Sequence, residues 1–201
     1  MQLHSNGATP FGRKVAILIH EAGRTDEVET VHATGTAVDP SKMPVGLNPL
    51  GKIPVLVRDD GPAIYDSRVI CRYLDRLWSM GLYPESRLWE VLTLEATADG
   101  IMDAALLMVT EARVRPEGMR HAPWVDAQWA KIDRTLDALE DRWAGQLAGP
   151  ATMGQIALGA ALGYLDFRHG DRGWREGRPA LSAWEKRFAE RPAMVATTPQ
   201  G

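Results

Sequence analysis

Along the first third of the chain the apolar pattern changes period every few residues. Met1 to His4 predicts a short strand that runs into a polar turn, Ser5-Asn6-Gly7. Val15, Leu18 and Ile19 then recur at helical spacing and stop at Gly23. Pro10 suits the first turn of that helix, where its missing N–H costs nothing, and Thr9 stands just ahead at the N-cap position. Val28 to His32 (VETVH) alternates apolar and polar residues, as a half-buried strand does. A long loop from Ala33 to Pro54 follows, punctuated by Pro40, Pro44, Gly46, Pro49 and Gly51. Val55-Leu56-Val57 predicts a buried strand, Asp60-Gly61 a hairpin turn and Ala63-Ile64-Tyr65 the returning strand. From Ser67 the spacing of Val69, Ile70, Tyr73, Leu74 and Leu77 predicts an amphipathic helix. The order βαβ, ββ, α predicts a four-stranded mixed sheet with helices, not an extended doubly wound one.

Strand patterns end around Met80 to Pro84 (MGLYP). Downstream, Glu85 to Arg115, Pro123 to Ala144 and Thr152 to Arg168 each read as amphipathic helices, with a shorter one at Ala180 to Arg191. The expected organisation is therefore an α/β domain over 1–78, a linker over 79–84 and an all-α domain over 85–201. Thr152-Met153-Gly154-Gln155 has the form of a capping box. The helix it opens carries Gly159 and Gly163, which admit a close neighbour; this motif specifies fold, not chemistry.

Composition narrows the chemistry. The 201 residues carry 23 Lys+Arg against 26 Asp+Glu, a net charge of −3, so no basic excess is available for a phosphate backbone. The lone cysteine, Cys71, excludes an internal disulfide framework, a zinc ribbon and a CxxC redox pair, and its place in an apolar helical pattern suits packing. The five histidines show no metal-ligand spacing, so no metal is expected. The polar start is no signal peptide, and the most apolar run, Ile156 to Leu165, is about half the length of a membrane span. The expectation is a soluble, cytoplasmic protein with neither nucleic acid nor membrane as partner.

Gly46-Leu47-Asn48-Pro49-Leu50-Gly51-Lys52 formally matches GxxxxGK, the start of a phosphate-cradling loop. Ile53 follows where that loop needs Ser or Thr, Pro49 removes a backbone donor, and a strand follows where a helix is needed. The segment has a different meaning beside its neighbours. Ile53-Pro54 enters a strand, where a cis X–Pro bond is feasible and would free the Ile53 backbone to pair with an extended peptide. Asp66-Ser67 opens a helix whose N-terminal N–H groups suit a carboxylate, and the Ser5 to Thr9 turn leads to a second helix N-terminus. Together these make a cleft for a short acidic peptide.

Three segments resemble the thioredoxin-like domain of glutathione S-transferases: Thr9-Pro10-Phe11-Gly12-Arg13-Lys14-Val15, Asn48 through Leu56 (NPLGKIPVL) and Asp66-Ser67-Arg68-Val69-Ile70. In the helical half, Ala98 to Asp103 (ADGIMD), Ile156-Ala157-Leu158-Gly159 and Gly163 to Arg168 (GYLDFR) look like a bacterial, YibF-like subgroup of that superfamily. The resemblance covers nearly the whole chain. It implies a thioredoxin-like N-terminal domain followed by a helical C-terminal domain, usually dimeric, with glutathione as co-substrate. It implies that Ile53, before a cis Pro54, pairs its backbone with the cysteinyl unit of glutathione. Ser67, through its N–H and hydroxyl, would take the γ-glutamyl carboxylate, with Asp66 near the ammonium. Lys52 and Lys42 are candidates for the glycyl carboxylate, and Asp99 of the partner subunit for the γ-glutamyl ammonium.

Such a site stabilises the glutathione thiolate, because the thiolate and not the thiol is the nucleophile. Lowering a thiol from about 8.5 by two units takes roughly 2.7 kcal/mol of preferential stabilisation. Related enzymes commonly place Ser, Cys or Tyr there; here the register places Thr9, and TPFG aligns with the redox CPYC of glutaredoxins with both cysteines lost. Thr9 therefore retains a hydroxyl for thiol activation but cannot form a mixed disulfide. Ser5 and Asn6 are alternative donors, and helix capping is the competing role for both Thr9 and Asp66. Conjugation of a small electrophile is the expected reaction. Glutathione-dependent disulfide or peroxide reduction, and a non-catalytic binding module, are the alternatives.

Overall fold

A computed structural model describes residues 1–200 of the chain. It divides into two compact units: Met1–Leu88 together with the segment from Pro192 onward, and Trp89–Arg191. The terminal segment, expected with the helical residues 85–201, thus packs with the first unit.

In the first unit, β1 (Gln2–Ser5) is the central strand of a three-stranded sheet of order β2-β1-β3. β2 (Glu29–His32) runs parallel to it with His4 opposite Val31, and β3 (Val55–Val57) runs antiparallel with His4 opposite Val55. The parallel pair needs a crossover, which α1 (Pro10–Glu21) supplies. Val15, Ile17, Leu18 and Ile19 of α1 are buried, and Leu3, Val55 and Leu56 of the sheet are fully enclosed. Ile70, Cys71 and Leu74 bury the inner face of α2 (Ser67–Trp78). The returning strand expected at 63–65 is reduced to one bridge, in which Leu56 and Ile64 exchange N–H···O bonds of 3.0 and 2.9 Å. Pro62 and the cramped 59–62 turn leave too few residues for a ladder.

The loop of residues 33–54 forms no element beyond the Thr36–Asp39 bridge. Its last turn is closed by Asn48, whose side chain accepts the Leu50 N–H at 3.0 Å and donates to the Lys52 carbonyl at 2.8 Å. Gly51 there has φ 62°, a left-handed conformation that favours glycine.

The second unit is helical. It holds nearly all of α3 (Leu88–Val114), then α4 (Ala122–Arg142), α5 (Ala144–Leu147), α6 (Met153–His169) and α7 (Pro179–Ala189). α6 is its core, with residues 156–162 all buried. Gln155 supplies the reach-back of the capping box, accepting the Thr152 N–H at 2.9 Å. Gly154 packs against α3: a Cβ there would lie 2.9 Å from Leu94 Cβ and 3.0 Å from the Val91 carbonyl oxygen. Arg178 ties α4 to the start of α7 through Asp133 and Asp137, each at 2.6 Å. α8 (Pro192–Ala196) returns to the first unit and lies on α1, where Arg13 donates to the Met194 carbonyl at 3.2 Å. No helix of the described residues is long and apolar enough to cross a membrane.

Candidate glutathione site

The sheet register gathers three segments at one end of the first unit. β1 ends at Ser5 where β3 begins at Val55, so the 5–9 turn lies beside Ile53-Pro54. Counting outward from the Leu56–Ile64 bridge brings Pro54 and Asp66 to matching positions, with Ser67 one residue on. The Ile53–Pro54 peptide bond is cis, as the motif implied. Among the described residues, neither the N–H nor the C=O of Ile53 takes an intramolecular hydrogen bond. An extended peptide laid along it would find a donor and an acceptor waiting.

Asp66 is the N-cap of α2. Its Oδ1 accepts the Arg68 N–H at 3.0 Å, and its Oδ2 pairs with the Arg68 guanidinium at 2.8 Å. Burial pushes its carboxyl up, but the two hydrogen bonds from Arg68, with the charges of Arg68 and Lys14, outweigh that and hold it below the usual carboxylate range. Capping and ligand recognition are compatible here, because the carboxylate stays about half exposed. Ser67 is buried at the first helical position, and neither its N–H nor its hydroxyl has a partner among the described residues. Those two donors at a helix N-terminus form an anion seat.

Thr9 occupies the N-cap of α1 but makes no capping bond through its side chain. Its hydroxyl has no hydrogen-bond partner among the described residues, whereas its N–H is held by Asn6 Oδ1 at 3.1 Å. Asn6 also accepts the Ala8 N–H at 3.0 Å and donates to the Ala33 carbonyl at 2.8 Å. Asn6 is thus the brace of the 5–9 turn. Ser5 is buried with its hydroxyl turned toward Gly12. Of the three alternative donors, only Thr9 combines a half-buried side chain with an uncommitted hydroxyl.

Lys52 and Lys42 are exposed, Lys52 beside Ile53 and Lys42 farther back in the same loop. Asp99 is buried on α3 of the second unit and does not belong to the group the sheet assembles. Two features escaped the sequence pattern. Lys14, a polar residue in an amphipathic helix, is fully buried and close enough to Asp66 to act on its charge. Asn48 sets the turn that presents Ile53; the signal available for it was an Asn-Pro pair at the start of a tight turn. Among the described residues no group of His, Cys, Asp or Glu could hold a metal.

A small mixed sheet with a cis-proline edge and two helix N-termini, followed by a helical unit, defines a thioredoxin-like domain joined to a helical one. Residues 8–77 match the family described as glutathione S-transferase, N-terminal domain, and 122–187 the glutathione S-transferase C-terminal domain. The chain belongs to the glutathione S-transferase family. It is 34% identical over 206 residues to the GST-like protein YibF of Escherichia coli (strain K12), spanning 99% of this chain and 98% of that one. A glutathione transferase family member from Pseudomonas fluorescens Pf-5, solved with bound glutathione, is 41% identical, with a TM-score of 0.94 over 100% of this chain and 99% of the other. A structure of such a protein from the same organism, with bound S-(propanoic acid)-glutathione, is likewise 41% identical, with a TM-score of 0.89 and 100% of both chains covered.

Proposed function

We propose that the protein is a glutathione S-transferase that lowers the thiol pKa of glutathione and directs the thiolate at a small hydrophobic electrophile. A C–S bond forms, the electrophile loses a leaving group or takes a proton from water, and the thiol proton goes to solvent. The observation that carries this reading is the uncommitted Thr9 hydroxyl at the N-terminus of α1, beside the unpaired Ile53 backbone. A hydroxyl donor and a helix N-terminus both favour a thiolate over a thiol.

In this assignment Ile53 pairs with the cysteinyl unit next to Pro54, while Ser67 receives the γ-glutamyl carboxylate and Asp66 its ammonium. Lys52 or Lys42 meets the glycyl carboxylate. Asp99 of the partner subunit approaches the ammonium in a homodimer. The role is detoxification of electrophiles in the cytoplasm. The S-substituted glutathione bound to the Pseudomonas protein supports conjugation as the reaction class. No metal takes part in this scheme.

Isothermal titration with glutathione, followed by conjugation assays on a panel of electrophiles, tests it. Wild type should bind in the micromolar to millimolar range and turn over at least one chlorinated aromatic or activated alkene. Thr9→Val should still bind but lose at least tenfold in rate below the thiol pKa. Reduction of a mixed glutathione disulfide without any conjugation would transfer the site to a reductase using two glutathione molecules. An absence of glutathione binding would leave the fold as a partner-binding module.

A further inference from the structure

A threonine at a helix N-cap ordinarily accepts, through its hydroxyl, the N–H of the second or third helical residue. Thr9 departs from this. It makes no such bond, and its methyl lies against Gly12, the third residue of α1. A Cβ placed on Gly12 would stand 2.7 Å from Thr9 Cγ2, 1.9 Å from Ser5 Oγ and 3.3 Å from Ser5 Cβ. The room that a side chain would need at Gly12 is thus already filled by the Thr9 methyl and the Ser5 side chain. Glycine inside a helix lowers its stability relative to alanine, so a buried glycine in the first turn of α1 calls for a cause. The notch supplies one.

The rest of Thr9 is fixed independently. Its N–H is held by Asn6 Oδ1 at 3.1 Å, and its carbonyl accepts the Arg13 N–H at 3.0 Å. With the backbone pinned, one side-chain torsion remains, and seating Cγ2 in the notch decides where Oγ1 stands.

We propose that Gly12 is a positioning residue for the thiol-activating hydroxyl: its notch takes the Thr9 methyl, holds the side chain off its capping rotamer and keeps Oγ1 for the glutathione sulfur. This rests on the assignment of Thr9 made above. It gives the threonine methyl a function and separates threonine from serine at this position. A serine has nothing to seat, so its hydroxyl turns back to the free N–H groups of the first turn.

The test is the thiol pKa of bound glutathione, read from thiolate ultraviolet absorbance in the saturated full-length protein. Thr9→Val should raise it most. Thr9→Ser should raise it by about one pH unit, a tenfold loss of thiolate at any pH well below it. Gly12→Ala should raise it similarly, and adding Thr9→Ser to Gly12→Ala should change little more. In each case kcat should fall while the KM for glutathione holds. If Thr9→Val leaves the pKa in place, Thr9 is not the activator and both readings fall. If Thr9→Val raises it but Thr9→Ser matches wild type, the activator stands and the notch does not. Thr9→Ser removes only an edge methyl and decides the matter even if Gly12→Ala fails to fold. A folded Gly12→Ala protein with the wild-type pKa overturns the proposal equally.

Discussion

At the scale of single residues, the first unit commits its polar groups unevenly. Asn6 spends its side chain on three bonds, two within its own turn and one to Ala33, while the Thr9 and Ser67 hydroxyls spend none. A hydroxyl that water can still reach loses little by having no protein partner, so these two stay free to meet a ligand. In the second unit His169 shows the opposite economy. It is buried at the end of α6, with Nε2 3.0 Å from the Ala105 carbonyl of α3. Burial lowers its pKa; the Ala105 bond and Asp171 oppose that, while Arg172 and Arg168 reinforce it. The folded state therefore binds a proton less readily than the unfolded one, whose histidine titrates near 6.5. Its contribution is fully present above that value and is lost as pH falls from there toward the lowered folded pKa. Thermal unfolding followed between pH 7 and 5 should show a drop in midpoint that is shallower in His169→Gln. Parallel curves for the two proteins would remove His169 as the cause.

Among elements, the short α8 carries more than its length suggests. Ala193 and Met194 are buried, Arg13 of α1 donates to the Met194 carbonyl, and the Gln200 N–H reaches the Gly7 carbonyl at 3.2 Å. The chain's last described residues thus close over the turn that carries Thr9. Met194→Ala should cost about 2–4 kcal/mol in denaturant unfolding, as for other methionines truncated in a packed core. A loss under 0.5 kcal/mol would mean the segment merely rests on the surface. The elements also divide what sequence could and could not reveal. Helices α1, α2 and α4 were legible because their apolar positions repeat over several turns, whereas α6, expected to be amphipathic, is buried on nearly every face and was legible from its capping box. The fourth strand was not, because its alternation over 63–65 says nothing of whether the turn before it leaves room to pair. Pro54 and the α2 N-terminus were legible from local signals. The free Thr9 hydroxyl was not, since the choice between capping and exposure lies in a side-chain rotamer that no local sequence pattern encodes. The attachment of α8 to α1 was hidden for a related reason: a five-residue helix has no period to read.

For the molecule as a whole, the near balance of 23 basic and 26 acidic residues leaves recognition to local groups rather than to a global field. In the proposed function, glutathione at neutral pH is an anion meeting a chain of net charge −3, so the proposal seats it on helix ends and nearby lysines. The proposed homodimer adds Asp99 of the partner subunit to that seat. Sedimentation at micromolar concentration should then give twice the chain's mass, and Asp99→Asn should weaken glutathione binding about tenfold without altering that mass. A single-chain mass, or unchanged affinity in the variant, would confine the site to one subunit.

The turn held by Asn48 has a consequence for how this fold can vary. Because its side chain ties Leu50 to Lys52 across the turn, the edge that presents Ile53 is anchored from within, five residues upstream. The exposed stretch before it, with Lys42 and the apolar Val38 and Val45, is joined to that turn through Pro44, whose carbonyl accepts the Leu47 and Asn48 N–H groups at 2.9 Å. In the proposed assignment, exchanging exposed side chains of this stretch can remodel what approaches the glycyl end, whereas an insertion or deletion that displaces Pro44 would reach the edge itself. New specificity can therefore be tried by exchanging exposed side chains such as Lys42, not by changing the length of the loop.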